Sequence, residues 1–302
     1  MKKYLKQLIL SRLLSGSAKD TQDALQSFPP GHFYSPIPSL GEVRRDEALI
    51  FGDCPRQIPG IEMNEEGQLR LLDALKKFYA EIPSAPEKSP ELRFYFNNSM
   101  YSYSDAIFLH CMIRQVEPKR IIEIGSGFSS CMTLDTNEKF FDNGIETTFI
   151  EPYPERLLSL LLPGDEERIN ILPHRLQDID LNIFEDLRAN DILFVDSTHV
   201  SKVGSDVNRI FFEILPRLAP GVYIHFHDIL YPFEYPRDWI YAGRSWNEAY
   251  LLRAFLQHNN SFNIILMNSF IHKFHDDFFC KEMPHCRKNT GGSIWLRTSP
   301  TA

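Results

Sequence analysis

Short apolar runs alternate with amphipathic stretches over the last two thirds of the chain. Arg120-Ile121-Ile122-Glu123-Ile124, Thr147–Ile150, Ile169–Leu172, Ile192–Val195 and Val222–Phe226 are brief, mainly apolar runs bounded by turn formers, and they predict strands. Between them the apolar positions recur at helical spacing. This predicts helices over 105–116 (Ser104 as N-cap, Pro118 beyond the end), about 129–140, after Pro154, about 204–218 and about 246–257. Two further strands are expected near 262–267 and 293–296 with no helix between them, so one of the two is expected to run antiparallel at the sheet edge. Apolar strands alternating with helices mean a mostly parallel sheet covered on both faces. The fold class expected is α/β, a doubly wound, mostly parallel seven-stranded sheet.

Residues 1–95 have a different texture. Prolines at 29, 30, 36, 38, 55, 59, 83, 86 and 90 forbid long regular elements. One helix interrupts them, over about 65–82, with Leu69, Leu72, Leu75 and Phe78 on one face. Leu5–Leu14 predicts an amphipathic surface helix. Lys6 and Arg12 cut it, and it is too short to cross a bilayer. Met1-Lys2-Lys3 resembles a signal n-region, yet no uninterrupted apolar core or cleavage site follows. The expected division is an irregular, partly helical cap over 1–95 and a sheet domain over 96–302.

Composition narrows the choice of partner. The 302 residues carry 32 Lys+Arg against 40 Asp+Glu, a net charge of −8, with no basic cluster, so a nucleic-acid partner is not expected. A membrane partner is not expected either, and the oligomeric state is left open. Cys54, Cys111, Cys131, Cys280 and Cys286 are few, scattered and odd in number, and they read as reduced thiols of a cytoplasmic protein.

In a doubly wound sheet, ligands bind outside the carboxyl ends of the strands. Gly125-Ser126-Gly127 turns the first strand into its helix, letting backbone approach a ligand and presenting the Ser129 and Ser130 amides to polar groups. Alone, these glycines fit any strand-to-helix turn. Glu123, two residues earlier in an apolar strand, changes the reading: a buried carboxylate costs several kcal/mol unless satisfied, would repel a pyrophosphate and would welcome a cation. Glu151, 26 residues after Gly125 at the end of the second strand, is placed to take both ribose hydroxyls. Gln177-Asp178 follow the third strand, where an adenine amino group could find an acceptor, although Asp178 by itself reads first as a helix N-cap.

Glu123-Ile124-Gly125-Ser126-Gly127-Phe128-Ser129-Ser130, then Phe149-Ile150-Glu151-Pro152, then Phe194-Val195-Asp196-Ser197 resemble the class I S-adenosylmethionine-dependent methyltransferases, nearest to their small-molecule O-methyltransferase-like branch. The resemblance covers about residues 96–298 and implies a Rossmann-like fold. It implies that Gly125, Ser126 and Gly127 line the methionine part of S-adenosylmethionine, with Glu123 near its amino end and Ser129 and Asp196 beside it. Glu151 would hold the ribose and Asp178 the adenine. Ser129 stands where many members have a third glycine.

Asp196 and His199 follow the fourth strand, and His225, His227 and Asp228 end the fifth. Methyl transfer to oxygen needs an in-line approach and loss of the acceptor proton, which a histidine base or a divalent metal can provide. Some methyltransferases that this chain resembles place metal-binding carboxylates where Asp196 and Asp228 stand. Asp196, His199, His227 and Asp228 are therefore a candidate metal set, suited by its mixed ligands to Mn, Fe or Zn better than Mg. His199, His227 and Asp228 are the candidate catalytic residues, while His225 reads as a core histidine.

Three other features are weaker. Tyr231–Pro236, Trp239, Tyr241, Arg244 and Trp246 read either as an apolar acceptor pocket or as a packed loop. Tyr101, Tyr103 and Asp105 are candidate lid residues. His272, His275, Cys280, His285 and Cys286 lack a zinc spacing and read as a loop with incidental thiols. The leading expectation is methyl transfer from S-adenosylmethionine to a small-molecule acceptor, on oxygen. The rivals are metal-dependent oxidation or hydroxylation on the same fold, and a non-catalytic nucleotide-binding module.

Overall fold

In the computed structural model, which describes residues 28–300, seven strands lie in one sheet. They are β1 (Arg120–Ile124), β2 (Glu146–Ile150), β3 (Asn170–Leu172), β4 (Ile192–Val195), β5 (Tyr223–Phe226), β6 (Phe262–Met267) and β7 (Ile294–Thr298), in the order β3-β2-β1-β4-β5-β7-β6. The helices are α1 (Leu40–Arg45), α2 (Glu47–Ile50), α3 (Glu65–Leu75), α4 (Ser104–Val116), α5 (Phe128–Phe141), α6 (Glu155–Leu158), α7 (Asn182–Glu185), α8 (Asp206–Arg209), α9 (Arg237–Tyr241), α10 (Glu248–Leu256), α11 (Asn268–Phe274) and α12 (Asp276–Glu282). The helix expected over 204–218 begins as α8 and continues through a π-helical stretch, Ile210–Ile214, and a 3-10 turn, Leu215–Arg217. The helix expected over Leu5–Leu14 lies outside the described residues.

β1 to β5 are parallel, and the chain steps outward from β1 to β2 and β3 before returning to β4 and β5 on its other side. The switch in direction lies between β1 and β4, where such a sheet leaves a crevice. β4 is apolar at every position and fully buried, as a strand covered on both faces must be. α4 is buried along nearly its whole length, from Ser104 to Ile113, so it is a core helix without a solvent face.

The end of the sheet departs from expectation. α11, α12 and a 3-10 turn, Pro284–Arg287, separate β6 from β7, and β7 inserts between β5 and β6, antiparallel to both. The antiparallel strand is thus internal, and β6 is the edge. Its exposed ladder is met by α3 and the residue before it. Gln68 Oε1 accepts from Met267 N at 2.8 Å, and Asn64 Nδ2 donates to Ile264 O at 3.0 Å. Paired in this way, the edge is closed to a further strand.

These contacts move the domain boundary. Two compact units are present: the described residues up to Cys54 with Pro236–Ser245, and Pro55–Tyr235 with the rest of the chain from Trp246. Residues 55–95, read from their prolines as cap, therefore belong with the sheet. Arg93 shows why. Its buried guanidinium spans Asp135 on α5 (2.8 Å) and Asp165 (2.5 Å), both buried, and removing one partner from such a cluster costs about 3–5 kcal/mol. Within the first unit, α9 meets α2 through Tyr241 Oη, which donates to Glu47 Oε1 at 3.1 Å.

Candidate active site at the strand ends

Four residues, each one position beyond a parallel strand, continue the ladder across the crevice. Gly125 N donates to Ile150 O (2.9 Å), Glu151 N to Leu172 O (3.2 Å), Asp196 N to Ile124 O (2.8 Å) and His227 N to Val195 O (2.9 Å). The sheet itself therefore fixes Glu151, Gly125, Asp196 and His227 in one row. Gly125 adopts φ +91°, and a Cβ there would lie 2.5 Å from Asp196 O. Only glycine lets the first strand turn so close to the fourth.

A cavity of about 340 Å³ opens above this row, lined among others by Gly125, Glu151, Leu176, Gln177, Asp196 and Ser197. Beneath the turn, Glu123 is fully buried. Its Oε1 accepts from Ser129 Oγ (2.5 Å) and Ser130 Oγ (2.9 Å), while Oε2 has no partner. Burial pushes its pKa up to about 8 against those two hydrogen bonds, with Asp196 and Glu151 adding repulsion. Ser130 Oγ also accepts from Gly127 N at 3.0 Å, capping α5 from inside. Ser126 Oγ is buried and unpartnered. Glu151 Oε1 accepts from Tyr153 N at 2.9 Å, and burial raises its pKa as well.

Asp178 does not join the group. It is exposed, is paired in two hydrogen bonds with Arg175 (both 2.9 Å), and lies outside the cavity lining. It is not a helix N-cap either, since it closes the 3-10 turn Leu176–Asp178.

At the other end of the row, two histidines and three carboxylates converge. His199 is buried, at φ +60°. Its Nδ1 lies 2.9 Å from Glu248 Oε2, and its Nε2 lies 3.3 Å from Asp196 Oδ1 and 3.7 Å from Asp228 Oδ2. Burial disfavours its charge, but the hydrogen bonds to Asp196 and Glu248 outweigh that and raise its pKa to about 10. The crevice around Asp196 would raise its carboxyl pKa. The His199 hydrogen bond and the His227 charge hold it below the usual range instead. His227 Nε2 lies 3.5 Å from Asp228 Oδ1, and its ring is 5.0 Å from that of Tyr101. Against burial, Asp228, Asp196 and Asp105 raise its pKa. His225 is fully buried between Phe194 and Trp295, with both ring nitrogens unpartnered and its pKa pushed well down by burial. It is the core histidine the strand pattern indicated.

Among the described residues no three His, Cys, Asp or Glu side chains are arranged, as they stand, to hold a metal ion. Asp196, His199, His227 and Asp228 nonetheless lie side by side, with His199 Nε2 facing both aspartates.

Residues 122–229 match the family model described as a methyltransferase domain. An uncharacterized protein of Archaeoglobus fulgidus is 39% identical over 197 residues, covering 64% of this chain and 86% of that protein. The chain thus carries a methyltransferase domain over residues 122–229. Solved structures similar to this methyltransferase include PaMTH1 of Podospora anserina bound to S-adenosylhomocysteine (13% identity, 86% of this chain and 96% of that one, TM-score 0.44). Another is the O-methyltransferase TomG of Streptomyces achromogenes in complex with S-adenosylmethionine (14%, 86% and 96%, TM-score 0.41).

Two buried carboxylates beside this cluster were not placed there by the sequence reading. Glu248, on α10, is buried against His199. Its signal was present, a carboxylate on the same helical face as Leu252 and Leu256. Asp105, taken for a lid residue, is buried and accepts from Gly292 N at 3.1 Å, and Gly292 O accepts from Ile229 N at 2.7 Å, bracing the turn at Asp228. Tyr101 is buried too. Tyr231 and Tyr235 pack into the second unit, against Phe270 and Trp246 respectively, so this part of the aromatic stretch is packed rather than an open pocket. His272 and His275 sit in and beside helices, where they meet Phe279 and Glu65 rather than a metal.

The Glu123 environment gives a pH test. Its folded pKa of about 8 lies above the ordinary 4.5, so the unfolded chain releases this proton first as pH rises, and folding loses stability through that window. Urea unfolding of wild type and Glu123→Gln without ligand should show the variant gaining on wild type between about pH 4.5 and 8, then a constant difference. Parallel pH curves would show that the carboxyl titrates normally.

Proposed function

We propose that this methyltransferase moves the methyl group of S-adenosylmethionine to an oxygen of a small-molecule acceptor. The observation that carries this reading is the carboxylate of Glu123, buried with Oε2 unpartnered under the glycine turn and beside Glu151 and Asp196. Without ligand, burial keeps the proton on this carboxyl up to about pH 8; a cationic donor favours its ionised form, whereas a pyrophosphate would disfavour it.

When bound, S-adenosylmethionine supplies an electrophilic methyl group on a sulfonium. Gly125, Ser126 and Gly127 would lie along its methionine part, with Ser126 Oγ as an available hydrogen-bonding group, and Glu123, steadied by Ser129, would face its amino end. Glu151 would take the ribose hydroxyls. Leu176 and Gln177, which line the cavity, would take the place of Asp178 at the adenine. Asp196 would stand between donor and acceptor. His227 takes the acceptor proton at Nε2 as the oxygen attacks, and Asp228, 3.5 Å away, stabilises the imidazolium formed. With its pKa raised, His227 releases its own proton only above the ordinary histidine range, so turnover should rise with pH through a midpoint above 6.5. Five free cysteines without disulfides fit a cytoplasmic enzyme. Among the described residues no helix is long and apolar enough to cross a membrane.

Glu151→Ala should weaken S-adenosylmethionine binding by about 1.5–3 kcal/mol through loss of charge-assisted hydrogen bonds. Calorimetric titration measures this directly, and an unchanged affinity removes Glu151 from the ribose. His227→Gln should lower kcat by roughly 10²–10⁴-fold while donor affinity stays within about twofold. Conversion of donor to S-adenosylhomocysteine across a panel of phenols and alcohols gives the rate, and a fully active variant excludes His227 as base.

A further inference from the structure

The glycine turn carries three polar groups that the described residues leave unsatisfied. Glu123 Oε2 is buried without a partner, and so is Ser126 Oγ. The third is the guanidinium of Arg156, on α6. Its stem lies against Gly127: a Cβ on that glycine would meet Arg156 Cδ at 3.2 Å, with Nη1 4.0 Å away. The φ of Gly127 is 167°, extended backbone open to any residue, so a larger residue there would disturb the arginine rather than the turn. Arg156 is exposed, and among the described residues its guanidinium makes no hydrogen bond or ion pair. By contrast Arg175, which lines the cavity, is held by Asp178.

Gly127 is also the N-cap of α5, a helix of 14 residues. The unpaired N–H groups of its first turn give that end a partial positive charge, which disfavours a nearby cation unless an anion joins them. Arg156 pairs with neither carboxylate of the crevice, although its charge reaches both. Burial raises the Glu151 pKa, while the Tyr153 amide and the Arg156 charge oppose it. Burial would raise that of Asp196 too, and His199, His227 and Arg156 hold it down. S-adenosylmethionine brings an anion of its own, the carboxylate of its methionine part. Glu123, Glu151 and Asp196 suit the ammonium and the sulfonium of the donor and repel this carboxylate. We propose that Arg156 binds the carboxylate of the donor's methionine part while Glu123 takes its ammonium, so that the turn reads an α-amino acid with one group of each sign. The first-turn amides of α5 share the anion, as helix N-termini do. Arg156 is thereby the residue that tells the complete donor from a relative without the carboxylate. This inference rests on the methyl-transfer reading, which supplies the ligand.

Calorimetric titration of the full chain can compare S-adenosylmethionine with its decarboxylated analogue, which keeps the nucleoside, the sulfonium and the ammonium. Wild type should bind the complete donor more tightly by roughly tenfold or more, the scale of a hydrogen bond between charged groups. Arg156→Gln should lose that preference: its affinity for S-adenosylmethionine falls by roughly tenfold or more, while its affinity for the analogue stays within about twofold of wild type. Arg156→Lys, which keeps the charge without the planar fork, should recover part of the preference. Because Arg156 is exposed and unpaired, both variants should keep the wild-type melting temperature, which separates loss of binding from loss of fold. A preference unchanged in Arg156→Gln, or an equal loss for both ligands, overturns the inference and leaves the methyl-transfer reading standing. A wild-type chain that binds neither ligand overturns that reading and the inference with it.

Discussion

More carboxylate meets at the carboxyl ends of the strands than the protein's own cations neutralise. Glu123 and Glu151 flank the glycine turn, Asp196 and Asp228 end β4 and β5, and Glu248 and Asp105 brace them from α10 and α4. Parallel pairing fixes the spacing of the row through the backbone bonds of Gly125, Glu151, Asp196 and His227, so the negative charge cannot spread apart to relieve itself. Folding tolerates the surplus in two ways. At the donor end the proton stays on Glu123 up to about pH 8. At the other end of the row His199 and His227 lie against Asp196, Asp228 and Glu248, and these carboxylates raise the pKa of both histidines.

The two histidines differ because their surroundings differ. His199 has carboxylates on both ring nitrogens and a tryptophan on its face, and its pKa is raised to about 10. His227 has a carboxylate beside one nitrogen and none on Nδ1. The residue types alone offered either histidine as the base; their surroundings set them apart.

Much of the fold was legible in the chain because it rests on local pattern. β1, β4 and β6 begin and end where the apolar runs do, and Gly125 and Glu151, singled out by their spacing, line one cavity at the strand ends. The misses concern long-range pairing. Nothing local distinguishes a strand that joins the edge from one that inserts beside β5, so β7 was misplaced. The prolines of residues 55–95 describe irregular backbone but not the Arg93, Asn64 and Gln68 contacts that bind it to the sheet. Asp178 was assigned by position after β3, while its partner Arg175, three residues away, had already claimed the carboxylate. Glu248 lies 49 residues beyond His199, and only the fold brings them together.

Calorimetric titration of the full chain with S-adenosylmethionine, and in parallel with ATP, tests the surplus-charge origin of donor recognition most directly. Binding of S-adenosylmethionine in roughly the micromolar range, with no heat from ATP at the same concentrations, is the expected result. Binding of ATP as tight as that of S-adenosylmethionine, or no binding of S-adenosylmethionine by the folded chain, would contradict it.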